Sequence, residues 1–168
     1  MRLIDRLTDK QIHEIAEMID AANDICYLNS DTGEYVLMMN NERLSEYGIS
    51  WEYEDDDEPE EDWHEWQKEM YLEAKSNMEK IYSWKNSIQI KKPESHEAFE
   101  FMKRFVDEVI PEGKLKQDFC RALSRTYPFR NFNAIIHNCE YREDWFKFKQ
   151  MALEEYVRMK IMFRQVND

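Results

Sequence analysis

"DICYLNSDTGEYVLMM", residues 24–39, alternates in polarity on either side of Asp31, Thr32 and Gly33. A two-residue period sends successive side chains to opposite faces of an extended chain, and glycine takes the positive φ that a three-residue hairpin turn requires. The stretch therefore predicts a β-hairpin at about residues 24–39. Upstream, Thr8 and Gln11 have the spacing of a capping box, and Ile12, Ile15, Ala16 and Ile19 recur at helical intervals, which predicts a first helix of about four turns. Downstream, "IYSWKNSIQI" (81–90) alternates again, with Trp84, Ile88 and Ile90 on one face and Lys85, Ser87 and Gln89 on the other. That predicts a third strand near 82–90.

Helices fill most of the remainder. Residues 40–59 carry no period and read as the body of an acidic, flexible loop at about 40–60. Trp63, Trp66, Met70, Ala74 and Met78 then share one helical face, and the acids before them suit the positive end of that helix's dipole. From Ser95 onward come a helix with Phe99, Met102, Phe105, Val106 and Val109 inward and a second at about 114–126 using Leu115, Phe119, Ala122 and Leu123. A short one capped by Asn131 and a long last one follow. The expected fold class is α+β: a mostly helical single domain spanning 1–168, with a small antiparallel sheet built on the hairpin. At 168 residues folding removes roughly 70% of the unfolded chain's surface from water, enough for a real core.

Charge is unevenly distributed. The net charge is −13, yet residues 1–90 hold 8 basic and 23 acidic side chains while residues 91–168 hold 15 and 13. Nine of the eleven residues in "EYEDDDEPEED" (52–62) are acidic. A chain of this sign repels polyanions, so nucleic acid is disfavoured as a partner, although Arg142, Lys149, Lys160 and Arg164 share a strip on the last helix. No segment approaches the roughly 20 apolar residues that cross a bilayer, and the N-terminus lacks the apolar run of a signal peptide. Three cysteines, Cys26, Cys120 and Cys139, have no paired spacing. A reducing, cytoplasmic setting without a membrane is expected.

Catalytic motifs are absent from the sequence. With three glycines in all there is no glycine-rich phosphate loop, no Gly-x-Ser-x-Gly elbow and no His-Glu-x-x-His. His13, His64, His96 and His137 fall on separate elements, and Asp55, Asp56, Asp57 and Glu58 lack the glycine and closing glutamate of a calcium loop, so no metal site or cofactor is expected. Two features invite a partner instead. In "TYPFRNFNAI" (126–135), Pro128 forces a turn, Phe129 and Phe132 are spaced to enter one core, and Arg130 with Asn131 stands between them. Arg130 either clamps helix-end carbonyls or a carboxylate such as Asp118, Glu140 or Asp144, or faces a ligand. The last helix carries two apolar ridges, Trp145, Phe148, Ala152, Tyr156, Met159 and Phe163 on one side and Phe146, Leu153, Val157 and Ile161 on the other. It is either a central helix packed on both sides or, through the second ridge, a homodimer interface.

"LTDKQIHEIAEMID", "YLNSDTGEY", "SHEAFEFMKRFVDEV", "YPFRNFNAII" and "WFKFK" occur in an order that resembles the bacterial group known as uncharacterised protein family 0158. The resemblance runs to about residue 36 and resumes after residue 88. It implies a soluble bacterial protein of no assigned activity, and it carries no catalytic residue. The expected function is a non-enzymatic binding or adaptor protein acting through protein contacts at the 128–132 corner. The alternative is a hydrolase-like enzyme whose carboxylates, from the acidic run and the hairpin, meet only in three dimensions.

Overall fold

A computed structural model describes residues 1–49 and 58–167, with side chains described to 164. Residues 50–57 hold most of the acidic run, so its expected flexibility and its Asp55–Asp57 cluster lie outside the described residues. The fold is α+β: among the described residues, seven α-helices, one 3-10 turn and a three-stranded antiparallel sheet. The chain divides into two compact units, residues 1–92 with 157–168, and residues 93–156.

The first unit is built around the predicted hairpin. After a 3-10 turn at Leu3–Arg6 comes α1 (Asp9–Ala21), started by the Thr8–Gln11 capping box. Strands β1 (Ile25–Asn29) and β2 (Tyr35–Met38) pair with Tyr27 opposite Val36, and β3 (Ser87–Ile90) adds to the other side of β1, giving the order β2-β1-β3. The hairpin loop is one residue longer than the expected turn. Asn29 N–H donates to the Glu34 carbonyl and Gly33 N–H to the Asn29 carbonyl, while the Asn29 carboxamide oxygen accepts from Asp31 and Thr32. Gly33 has φ 80° and a Cβ there would lie 2.9 Å from Arg6 Cβ, so glycine is required on both counts.

Alternation sorts the sheet into two faces. Tyr27, Val36 and Met38 pack with Ala74, Met78, Ile81 and Trp84, which belong to α3 (Glu65–Tyr82) and the turn after it. Cys26, Leu28, Ile88 and Ile90 are buried on the opposite side, to which α1 offers Ile12, Ile15, Ala16 and Ile19. Two expectations need correction here. The third strand covers only 87–90, because α3 runs on to Tyr82 and Trp84 sits in the helix-ending turn, its N–H donating to the Ile81 carbonyl. The expected 40–60 loop opens with a helix, α2 (Asn41–Glu46), capped by the Asn40 side chain, which accepts from Arg43 N–H at 2.9 Å. Leu44, Ile49 and Tyr71 form a small core beneath it with Met39, Trp63 and Met70.

The second unit is all helical: α4 (Ser95–Val109), α5 (Lys114–Ser124), α6 (Pro128–Ile136) and α7 (Arg142–Asn167) as far as Tyr156. Phe132 lies at the centre of an aromatic cluster, its ring centroid 4.9 Å from that of Trp145, 5.2 Å from Phe119 and 6.3 Å from Phe105. Edge-on pairs of this kind contribute about 0.5–1.5 kcal/mol beyond the area they bury. In α4 the buried residues are Phe101, Met102, Phe105 and Val106; Phe99 and Val109, expected inward, are half-buried, and Phe101 is an addition to the expected core.

The beginning of α7 lies in the second unit and Val157 onward in the first. Leu153, Val157 and Ile161 are buried, as are Trp145, Phe148, Ala152 and Tyr156, while Phe146, Met159 and Phe163 are exposed. Seven of the ten ridge residues are thus consumed by packing within the chain. The homodimer reading of Leu153, Val157 and Ile161 is corrected accordingly: only Phe146 of that set presents surface, and Arg142 lies over its ring at 5.4 Å.

Candidate functional site

The α5–α6 corner is assembled by a backbone constraint. Pro128 opens α6 at its first turn, where its missing N–H costs nothing, and Tyr127 before it has φ 61° and ψ 56°, a left-handed conformation uncommon for a bulky residue. Tyr127 is 70% exposed. Phe129 is also on the surface, at 39%, whereas Phe132 is fully buried, so only one of the two phenylalanines enters the core.

Arg130 is not the clamp. It is exposed and makes no hydrogen bond or ion pair with any described residue. Asn131 holds the corner instead: from within α6 its amide nitrogen donates to the Thr126 carbonyl at 2.9 Å and to the Ala122 carbonyl at 3.3 Å, satisfying groups that the end of α5 leaves open. It does not cap α6, as the sequence had suggested, because α6 starts three residues earlier at Pro128.

Beside the corner, Asp118, Arg121, Ala122, Arg125, Asn131, Ala134 and Ile135 line an open groove of about 390 Å³. Arg121 pairs with Asp118 at 3.6 Å and remains largely exposed. Arg121, Arg125 and Arg130 are exposed here, and Asp118 is the one acidic residue lining the groove, in a chain whose total is −13. The corner and groove thus form a cationic surface with two exposed aromatic rings.

A second cavity, of about 270 Å³, lies in the first unit where α1, β2, α2 and α3 meet. Met18, Met38, Met39, Met70, Leu37, Leu44 and Ala74 wall it, and Asp24, Arg43, Glu73 and Asn77 supply polar groups. Asp24 is buried, and burial raises its carboxyl above the usual carboxylate range although Arg43 opposes the shift. Arg43 Nη1 donates to Asp24 Oδ1 at 3.2 Å and to the Ala22 carbonyl at 2.6 Å. Asn23, in the left-handed region at φ 54°, is held by Asn40, whose amide donates to its carbonyl at 2.7 Å. Sequence reasoning missed this cavity, and the Asn40 cap was its one local signal.

The hydrolase-like alternative draws on carboxylates of the acidic run, most of which lie outside the described residues; among the described residues no three His, Cys, Asp or Glu side chains stand close enough to share a metal ion. Asp31 of the hairpin turn accepts from the Asn86 amide. Cys26 is buried and its thiol pushed up to about 12 by that burial and by Glu14, so it is an inert core thiol. No described helix is long and apolar enough to cross a membrane. No protein-family model, no curated protein and no solved structure matches the chain.

Proposed function

We propose that this chain is a non-enzymatic binding protein whose α5–α6 corner takes an acidic segment of a partner protein. The observation that carries the reading is the pairing of opposite properties at one place: an exposed aromatic on a left-handed backbone, beside a concentration of arginines in an otherwise strongly acidic chain. Backbone strain of this kind costs about 1–3 kcal/mol and collects at binding and catalytic sites. Tyrosine and arginine are also the residues that dominate protein–protein hot spots. Arg130, with no intramolecular partner among the described residues, is available to fork onto a carboxylate. The setting is a bacterial cytoplasm, in keeping with the motif order that resembles family 0158.

The test is crosslinked affinity capture from a bacterium that encodes the chain, comparing wild type with Arg121→Glu/Arg125→Glu/Arg130→Glu and with Tyr127→Ala. Wild type is expected to retain an acidic protein that both variants release, with binding that weakens as salt rises. Equal capture by all three would overturn the reading. So would tight binding to single-stranded DNA by wild type and not by the triple variant, which would assign the surface to a nucleic acid.

A further inference from the structure

We infer that the methionine-walled cavity of the first unit is a binding site for a small organic cation, a protonated amine carried on a compact apolar body. The inference is independent of the corner and its partner. Charge points to the sign of the ligand. Asp24 and Arg43 neutralise each other, and Arg43 Nη1 is engaged by Asp24 and by the Ala22 carbonyl. Glu73 then leaves the lining with one net negative charge, and it makes no hydrogen bond or ion pair with any described residue.

Position agrees with a sign set by Glu73. Met18 and Ala22 put the carboxyl end of α1 in the cavity wall, where Arg43 already meets the Ala22 carbonyl and the Ala22 and Asp24 N–H groups meet that of Met18, so Glu73 alone carries the charge. Asn77 stands one turn beyond Glu73 on α3, half-buried and also without a partner among the described residues, so its carboxamide oxygen can accept beside the Glu73 carboxylate. An ammonium has three hydrogens to donate, which the Glu73 carboxylate and the Asn77 carboxamide oxygen can accept, and it needs no donor in return; an anion at the same place would face the Glu73 carboxylate.

The wall specifies the rest of the molecule. Met18, Met38, Met39 and Met70 are unbranched and polarizable, and thioethers accommodate aliphatic or aromatic bodies without a fixed shape. A cavity near 270 Å³ lies at the small end of ligand sites. At roughly 30 Å³ per water-sized volume, it suits a molecule of about ten non-hydrogen atoms.

The test uses the full chain with ¹³C-methyl-labelled methionine and three probes of similar size: 2-phenylethylamine, 2-phenylethanol and phenylacetate. The amine is expected to shift the methyl signals of Met18, Met38, Met39 and Met70 saturably, with the alcohol and the carboxylate each at least about tenfold weaker. Glu73→Gln, at an exposed position, is expected to keep the fold and to weaken the amine about tenfold, which corresponds to about 1.4 kcal/mol. The inference is overturned if the amine fails to saturate by about 10 mM, weaker than the millimolar range. It is also overturned if the alcohol or carboxylate binds as tightly, if the shifted methyls are other methionines, or if Glu73→Gln binds the amine as wild type does.

Discussion

Asn131 reaches back across the α5–α6 corner to two carbonyls, and its neighbour Arg130 reaches no described residue. Adjacent polar residues should therefore behave oppositely. Asn131→Ala is expected to destabilise by about 1–2 kcal/mol, because two helix-end acceptors lose their donor. Arg130→Ala should change stability by less than about 0.5 kcal/mol, as exposed substitutions usually do. Phe132→Ala, which empties the centre of the aromatic cluster, should cost about 3–5 kcal/mol. Denaturant melts of the three variants check this ranking. Asp24 supplies a pH effect whose sign is unusual for a carboxylate. Burial raises its native pKa above the unfolded value, so the native state binds this proton more tightly. Its contribution to stability is accordingly greatest below the ordinary carboxylate range and falls as pH rises through the raised native value. Melts of wild type and Asp24→Asn across mildly acidic pH should show that fall in wild type alone; parallel curves would contradict it.

At the scale of elements, α7 behaves as a shared core helix. Val157→Glu should unfold the first unit's packing, since it buries an uncompensated charge at a position with no exposure. Phe146→Glu, on the exposed side, should melt within about 0.5 kcal/mol of wild type. Circular dichroism melts distinguish this pair from an interface, where both variants would stay folded and only association would change. The contrast also shows where sequence pattern carries information. The hairpin and α1 were legible because several consecutive periods and a local cap agree, and the two ridges of α7 were legible as ridges. What covers them was not, because that depends on partners distant in sequence. Helix α2 has six residues, too few for a period to register, and only the Asn40 cap and Gly48 bracket it. Trp84 fell into a false alternation because a helix end and a strand start were read as one extended segment. The methionine cavity was invisible for a related reason: Met18, Met38, Met39 and Met70 come from α1, the end of β2 and α3, so no single window contains their pattern.

On the scale of the molecule, the two units differ in how the chain supplies them. The all-helical unit is one continuous segment, 93–156, and the sheet unit is interrupted by it. Val157 and Ile161 are fully buried in the sheet unit, and Arg158 Nη2 meets Asp9 Oδ1 at 2.7 Å, joining the last helix to the first. Residues 1–92 leave the ribosome first, yet the helix that completes their core is made after all of the other unit. Domains ordinarily mature in the order in which they are synthesised; here the later unit has everything it needs first. Stalled nascent chains of increasing length, probed with a protease, should show residues 93–156 becoming resistant before residues 1–92. Until synthesis passes residue 161, the first unit lacks Val157, Ile161 and the Arg158–Asp9 pair, and in that interval the nascent chain offers a chaperone an unfinished core.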